Sequence, residues 1–316
     1  MSGLVVILPV ASAAARAVLA PPLARARRRA LAGAGWRAWL AGRIGRADLA
    51  LQPAAGLAAA AAGVPRAAAW FATPVALLAA VDHVRMPIGG WLELEADEAQ
   101  ALASDFARVF DGAGLALTAA GAEGFLLTGV STAAITFDPA RVLGGDIAPW
   151  LPAGEGAAPL RRIGTEIEMW LHEHAVNRAR TRRGAAALAA LWLWGGASTG
   201  SATPAPHRSR APARRVRGYG SDSWLRGLWH ETGRALDGPG RSFAELELAG
   251  DADTVVVVRE GVDDSVAARW VEPALAALAA RHIDAVEVLA DERVFRLGRF
   301  DLVKPWRHAV TWSVPP

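Results

Sequence analysis

The sequence predicts an α/β fold with a mostly parallel sheet, helices on both faces of that sheet, and a smaller α+β insert. Leu4 to Leu8 is a short apolar run, which is typical of a buried first strand. Late in the chain, the β-branched run from Thr254 to Val258 precedes a helical pattern from Val266 to Ala280. Apolar runs from Val286 to Leu289 and from Val294 to Leu297 follow it. A strand, a helix and a strand in this order indicate a parallel sheet.

The residues after the first strand predict helices. We expect one helix from Ala11 to Leu19, a second from Leu23 to Leu40, and an alanine-rich third helix from Gly56 to Ala62. The second helix would carry these arginines on its exposed side: Arg25, Arg27, Arg28 and Arg29.

The pattern changes in the middle of the chain and predicts the α+β insert. After an apolar run from Phe71 to Val81, Asp97 is a good N-cap for an amphipathic helix from Glu98 to Phe110. Two strand candidates follow this helix, Leu115 to Thr118 and Gly124 to Val130. A strand, a helix and a hairpin in this order favour a small α+β layer beside the larger sheet.

These patterns define a division into domains. We assign residues 1–71 and 186–316 to the α/β core and residues 72–185 to the insert. A linker at about residues 197–217 is rich in proline, serine, threonine, glycine and arginine. It has almost no large apolar residue, so it offers little surface to bury.

Composition excludes several classes of protein. The chain has 316 residues, a formal net charge of +3 and no cysteine, which excludes disulfides, thiolate metal sites and cysteine nucleophiles. The apolar N-terminus has no basic residue before Arg16 and is interrupted by Pro9, so it does not resemble a signal peptide. No segment reaches the ~20 strongly apolar residues of a membrane-spanning helix. We therefore expect a cytoplasmic protein.

The stretch from Thr165 to Gly196 contains the most informative pattern. Its first part is an amphipathic helix with a single apolar stripe. The stripe consists of Ile163, Ile167, Trp170 and Leu171. Its last part, Leu188 to Trp194, is a short aromatic run that stops at Gly195 and Gly196. Such a run is typical of a buried strand that leads into a glycine turn.

The same stretch resembles a known family. HEHAVNRAR at residues 172–180, followed by ALWLWGG at residues 190–196, is similar to the HPVNxxR…NxxWxWGxG signature of the bacterial RpfE-type regulatory proteins. Phe71 to Val75, Leu94 to Ala99 and Asp138 to Gly144 resemble further segments of that family, in the same order. These proteins are distant relatives of the archaeal-type cofactor-independent phosphoglycerate mutases. The resemblance therefore implies an alkaline-phosphatase-like sheet.

Enzymes of the alkaline-phosphatase-like superfamily hold two metal ions through Asp and His and use a Ser or Thr nucleophile. The present sequence departs from that pattern at two places. Pro9 to Ser12 follow the first strand without an acidic residue before Asp48, and no histidine follows Thr254 to Val258 until His282. A two-metal site needs several correctly placed ligands. We therefore expect a catalytically degenerate protein that has no catalytic residues and no cofactor.

The resemblance implies a regulatory or ligand-sensing role. One alternative is an active phosphoglycerate mutase or phosphatase that uses a divalent metal on a small phosphorylated acid. Another is a non-catalytic scaffold that binds a protein partner. The expected partners are a small phosphorylated or anionic ligand, or a protein, and neither nucleic acid nor a membrane. The arginine-rich linker lacks the interleaved aromatic residues of a nucleic-acid site.

The candidate site residues follow the predicted helix and the predicted strand of this stretch. As ligand-binding or junction residues we select His174, Asn177, Arg178, Trp194, Gly195 and Gly196. Asparagine tolerates left-handed backbone, and arginine brings several donors that can bridge carbonyls or a bound anion. Glu168 and His172 are four residues apart on one helix face and are the weak metal candidates. The alternative interpretation places both on the solvated face of an amphipathic helix.

Overall fold

The structure is a computed structural model that describes residues 3–9, 13–31, 35–196, 215–248, 252–259 and 264–304, with Trp306, Val310 and Trp312. Residues 197–214 of the predicted linker lie outside the described residues, and a strand already begins at Val216. The chain divides into two compact units. The first comprises Met1–Leu51, Ala205–Leu225 and Thr232–Pro316, and the second comprises Gln52–Pro204 and Arg226–Glu231.

The described part of the chain contains the following strands and helices. The strands are β1 (Gly3–Leu8), β2 (Arg27–Ala30), β3 (Trp70–Val75), β4 (Leu78–Ala79), β5 (Val84–Arg85), β6 (Ala116–Ala119), β7 (Phe125–Thr128), β8 (Ala190–Trp194), β9 (Val216–Tyr219), β10 (Asp253–Val257), β11 (Ala285–Ala290) and β12 (Arg293–Gly298). The helices are α1 (Ala13–Leu23), α2 (Gly35–Arg43), α3 (Ala54–Ala61), α4 (Ala96–Val109), α5 (Ala157–Glu173), α6 (Ala175–Arg182), α7 (Ser223–Glu231), α8 (Glu272–Ala279) and α9 (Arg299–Leu302). None of these described helices is long and apolar enough to cross a membrane.

Six of the described strands form a sheet in the first unit, in the order β2-β12-β11-β1-β10-β9. β1 lies between β10 and β11 and pairs with both in parallel, and β10 pairs in parallel with β9. β12 and β2 complete the sheet in antiparallel pairings. The predicted α/β fold with a mostly parallel sheet is therefore confirmed.

Helices cover both faces of this sheet. Successive side chains of a strand point to opposite faces. On one face, Val6 of β1 packs in a core that also contains Leu19 of α1 and Leu278 of α8. On the other face, Arg43 of α2 donates a hydrogen bond to Asp253 of β10 at 2.9 Å. Helices on both faces are expected here, because the strands of a parallel sheet are buried on both faces.

The second unit combines an antiparallel sheet with helices, as expected for an α+β insert. The sheet has the order β6-β7-β3-β8, and β4 pairs with β5 in a separate hairpin. Phe106 of α4 and Leu171 of α5 belong to the same apolar core as Trp70 of β3 and Leu193 of β8. The apolar stripe read from the sequence of α5 therefore faces the sheet.

The boundaries of the second unit differ from those of the predicted insert. From the sequence, residues 186–316 are expected in the core, whereas β8 pairs antiparallel with β3 in the second unit. Residues 52–71 also fall in the second unit. The sequence of a buried apolar strand does not indicate the sheet to which the strand belongs, because its pairing partner can be distant along the chain.

The predicted helix from Leu23 to Leu40 is wrong. α1 ends at Leu23, directly after Pro21 and Pro22, whose missing N–H groups weaken the last turn. The arginine-rich segment forms the edge strand β2, which pairs with β12, and helix begins again at Gly35. Charged residues on an edge strand discourage pairing with other chains, so the arginines suit this position.

Candidate functional site

The chain turns sharply between α5 and α6, and His174 lies at this turn. It is the N-cap of α6, where its Nδ1 accepts a hydrogen bond from the N–H of Val176 at 3.1 Å. Its Nε2 lies 3.0 Å from Asp105 Oδ2 on α4, and its ring contacts the ring of Trp170. Because Nδ1 accepts, the neutral ring carries its proton on Nε2 and donates to Asp105. His174 thus uses both ring nitrogens to join helices.

Asn177 is buried, with 6% of its surface exposed. Its Nδ2 donates to the carbonyl oxygens of Leu171 and Leu188, at 2.7 Å and 2.9 Å. Its Oδ1 accepts a hydrogen bond from the N–H of Leu188 at 2.7 Å. The side chain therefore ties the end of α5 to the segment before β8, and both of its donors are used within the protein.

Arg178 has a different environment from its neighbour Asn177. Its side chain is exposed and donates one hydrogen bond, to the carbonyl oxygen of Glu173 near the end of α5. Carbonyls at the end of a helix have no partner within the helix, so this bond satisfies one of them. The guanidinium has five donors, which leaves capacity for a second partner.

A buried ionic cluster beside this turn was not found by sequence analysis. Arg180 donates to Glu98 Oε2 at 2.6 Å and to the carbonyl oxygen of Ala186 at 2.7 Å, and Arg183 bonds to the other oxygen of Glu98. Glu98 is 5% exposed and Arg180 is 7% exposed. The signals in the sequence are the final arginine of the HPVNxxR signature, which matches Arg180, and the spacing of three residues from Asn177, which places both on one face of α6.

The residues Trp194, Gly195 and Gly196 contribute to packing at the end of β8. Trp194 Nε1 donates to Thr73 Oγ1 at 2.9 Å, and its ring is buried. Gly195 has a φ of +68°, which favours glycine, and a Cβ on Gly196 would lie 2.2 Å from the ring of Trp70. Backbone conformation and close packing thus account for these three residues.

An open cleft of about 920 Å³ lies between α5, α6 and the segment that leads into β8. Pockets for small molecules commonly have about 300–1,000 Å³. α5 contributes Glu168, His172 and Glu173 to the lining, and α6 contributes Arg178 and Arg182. All five residues are exposed. This cleft is the candidate binding site.

The weak metal candidates Glu168 and His172 both line the cleft. The surrounding protein shields the carboxyl of Glu168 from part of the solvent, which raises its pKa, although the side chain still reaches water. In the part of the chain that the structure describes, no group of three His, Asp or Glu side chains is placed to hold a metal ion. A pair of ligands falls short of the three or four that protein metal sites supply.

The carboxyl ends of parallel strands are the usual position of ligand sites in α/β sheets. In the first unit, Asp222 follows β9 and Arg259 follows β10 at this edge. Asp222 is fully buried, and its Oδ2 accepts hydrogen bonds from Arg259 Nε and Nη2 at 2.8 Å and 2.6 Å. Its Oδ1 accepts the N–H of Leu225 at 2.8 Å, and Arg37 Nη2 lies 4.0 Å from the carboxylate.

Burial alone would raise the pKa of Asp222, but the charges of Arg259 and Arg37 and the N–H of Leu225 hold it below its usual value. Asp222 is therefore an ionised carboxylate that forms an ion pair with Arg259. The superfamily implied by the sequence resemblance uses carboxylates near strand ends as metal ligands. Asp222 does not fit that use, because both of its oxygens already have partners within the protein.

Solved structures that are similar to the chain include the following two. One is a cofactor-independent phosphoglycerate mutase from Thermoplasma acidophilum DSM 1728, at 14% identity and a TM-score of 0.38, with 94% of this chain and 89% of that chain covered. The other is a protein from Pyrococcus horikoshii, at 12% identity and a TM-score of 0.45, with 94% of this chain and 87% of that chain covered. No protein-family model and no curated protein sequence matches the chain. The two similarities are distant, and neither an activity nor the RpfE-type family follows from them.

Proposed function

We propose that the chain is a regulatory, ligand-sensing protein of the RpfE type, which binds a small phosphorylated or anionic ligand in the cleft between α5 and α6. The observation that carries this proposal is the position of Arg178 and Arg182 on the α6 side of the cleft, both with exposed side chains. The sequence resemblance of residues 172–180 supports the regulatory part, since several of these residues line the cleft.

Arginine is suited to such a site. Its planar guanidinium presents donors in a fork that matches phosphate and carboxylate oxygens. Among the described residues Arg182 has no ion-pair partner, and Arg178 bonds only to a backbone carbonyl. An anionic ligand would give both side chains a charged partner. Asn177 would support the site indirectly, because it fixes the helix that carries both arginines.

We expect 3-phosphoglycerate, as the probe, to bind in this cleft. The double variant Arg178→Gln, Arg182→Gln should bind it at least about 100-fold more weakly, because each hydrogen bond to a charged group contributes about 1.5–3 kcal/mol and two arginines are removed. Isothermal titration calorimetry measures the affinity. Arg161→Gln is the matched control, since Arg161 is an exposed arginine of α5 that lies outside the cleft lining. Equal affinity of all three proteins would contradict the site, and absence of binding would favour the protein-partner alternative.

We also expect the purified protein to show no phosphoglycerate mutase activity. The sequence lacks an acidic residue directly after the first strand, and Asp222 is bound by Arg259. A mutase assay with and without added Mn²⁺ or Mg²⁺ measures this. Metal-dependent turnover that survives purification and disappears with a chelator would establish the enzymatic alternative instead.

A further inference from the structure

The two helices beside the cleft carry opposite charges. α5 contributes the carboxylates of Glu168 and Glu173, and α6 contributes the guanidiniums of Arg178 and Arg182. The floor, Ala187–Ala189, has no charged side chain. The cleft is therefore bipolar, with an acidic wall and a basic wall.

The opposite charges do not pair across the cleft. Within the described residues, neither Glu168 nor Glu173 forms an ion pair, and Arg178 donates to the backbone carbonyl of Glu173 rather than to a carboxylate. Elsewhere in the same unit such charges do pair, as Arg162 and Glu166 do on α5 at 3.7 Å. Among the described residues the carboxylates of α5 and the guanidiniums of α6 in this cleft therefore have no ion-pair partner, and Arg178 touches α5 only through the backbone of Glu173.

The pKa of Glu168 agrees with an acidic wall that lacks a cation. Partial burial raises this pKa, and no positive side chain is close enough to offset the effect. The other titratable side chains that line the same cleft are His172 and Glu173 from α5 and Arg178 and Arg182 from α6. A cation bound beside Glu168 would favour the ionised form, so the carboxylate would gain from a positively charged ligand group.

Building on the proposed function, we infer that the ligand of this cleft is zwitterionic. Its anionic group binds Arg178 and Arg182 on the basic wall, and an ammonium group on the same small molecule faces Glu168 and Glu173 on the acidic wall. A ligand of this kind satisfies both walls at once. A purely anionic ligand leaves the acidic wall unpaired and experiences its repulsion.

Two compounds that differ in the ammonium group test this inference. O-phospho-D-serine carries an ammonium group where D-3-phosphoglycerate carries a hydroxyl, and the configuration, the phosphate and the carboxylate are the same. Isothermal titration calorimetry at one pH compares them, so that protonation of the phosphate affects both equally. We expect phosphoserine to bind at least about 10-fold more tightly than phosphoglycerate. A cation close to a partly shielded carboxylate gains about 1.4–2.8 kcal/mol, which corresponds to about 10-fold to 100-fold in affinity.

The variants Glu168→Gln and Glu173→Gln test which carboxylate binds the ammonium group. Each variant should reduce the preference for phosphoserine while leaving the affinity for phosphoglycerate unchanged or increased. Glu166→Gln is the matched control, because Glu166 lies on α5 but outside the cleft lining and should keep the full preference. The amide keeps the size of the carboxylate, so folding is not at issue.

The outcomes separate this inference from the proposed function. If phosphoglycerate and phosphoserine bind equally and both require the arginines, the anion site stands and the zwitterion inference is overturned. The same conclusion follows if phosphoserine is preferred but the preference survives in the double variant Glu168→Gln, Glu173→Gln. If neither compound binds, the proposed function and the inference both fail. Preference for phosphoserine that is lost in the glutamate variants supports both.

Discussion

Arg259→Met should lower the free energy of unfolding by about 3–5 kcal/mol, the range for breaking a buried ion pair at one partner. Arg259 donates two hydrogen bonds to the fully buried carboxylate of Asp222. In the variant, Asp222 retains the N–H of Leu225 but has only the more distant Arg37 as a counter-ion. Urea denaturation followed by tryptophan fluorescence measures the difference, which should be among the largest of any single substitution in the first unit.

The matched control is Arg299→Met. Arg299 also pairs with an aspartate, Asp284, but both side chains of that pair are partly exposed. Exposed pairs contribute about 0–1 kcal/mol, so the control should stay within about 1 kcal/mol of wild type. If Arg259→Met is as stable as this control, the Asp222 ion pair has no structural importance, and Asp222 becomes available as a ligand for a metal.

The pH dependence gives a second measurement of the same pair. The pKa of Asp222 in the folded protein is lowered, so its contribution to stability is present above the unfolded pKa of about 3.9 and is lost as the pH falls through the lower folded value. In Arg259→Met the buried carboxylate loses its main counter-ion, and its pKa should rise. Protonation then relieves the penalty, so the gap in stability between wild type and variant should narrow as the pH falls from neutral toward acid.

The elements that sequence analysis predicts well are those whose pattern is local. β1, β10 and α3 are short apolar runs with clear ends, and each lies within two residues of its expected position. The segment Arg27–Ala30 was predicted as helix because its local composition suits one. Its structure instead depends on β12, which is far away in the sequence and offers the backbone partners that β2 needs. Pairing over such a distance leaves no local signal.

The candidate site shows the same limit. The sequence locates the turn that carries His174 and Asn177, because a helix end must satisfy its carbonyls. It does not show that the partners of the turn include Asp105 and Glu98, which lie on α4 and reach α6 only in the folded chain. It also cannot decide which arginine of α6 points inward. The structure buries Arg180 and exposes Arg178, and only the packing of α6 against α4 distinguishes the two.

Asn177→Ala should lower the free energy of unfolding by about 3 kcal/mol, because two buried backbone groups lose their partner and each such loss costs about 1–3 kcal/mol. The groups are the N–H and the carbonyl of Leu188, both bonded to the Asn177 amide. The carbonyl of Leu171 keeps the N–H of His174, so it does not add to the cost. A chemical denaturation midpoint, compared with wild type at the same pH, measures the loss.

Arg178→Ala is the matched control for Asn177→Ala, since the neighbouring residue lies on the same helix but is exposed. It should keep a midpoint close to wild type and lose affinity for phosphorylated acids, whereas Asn177→Ala should lose stability first. This contrast would assign a structural role to Asn177 and a ligand-binding role to Arg178. A wild-type midpoint for Asn177→Ala together with lost binding would reverse that assignment, because the amide would then contact the ligand and not the backbone of Leu188.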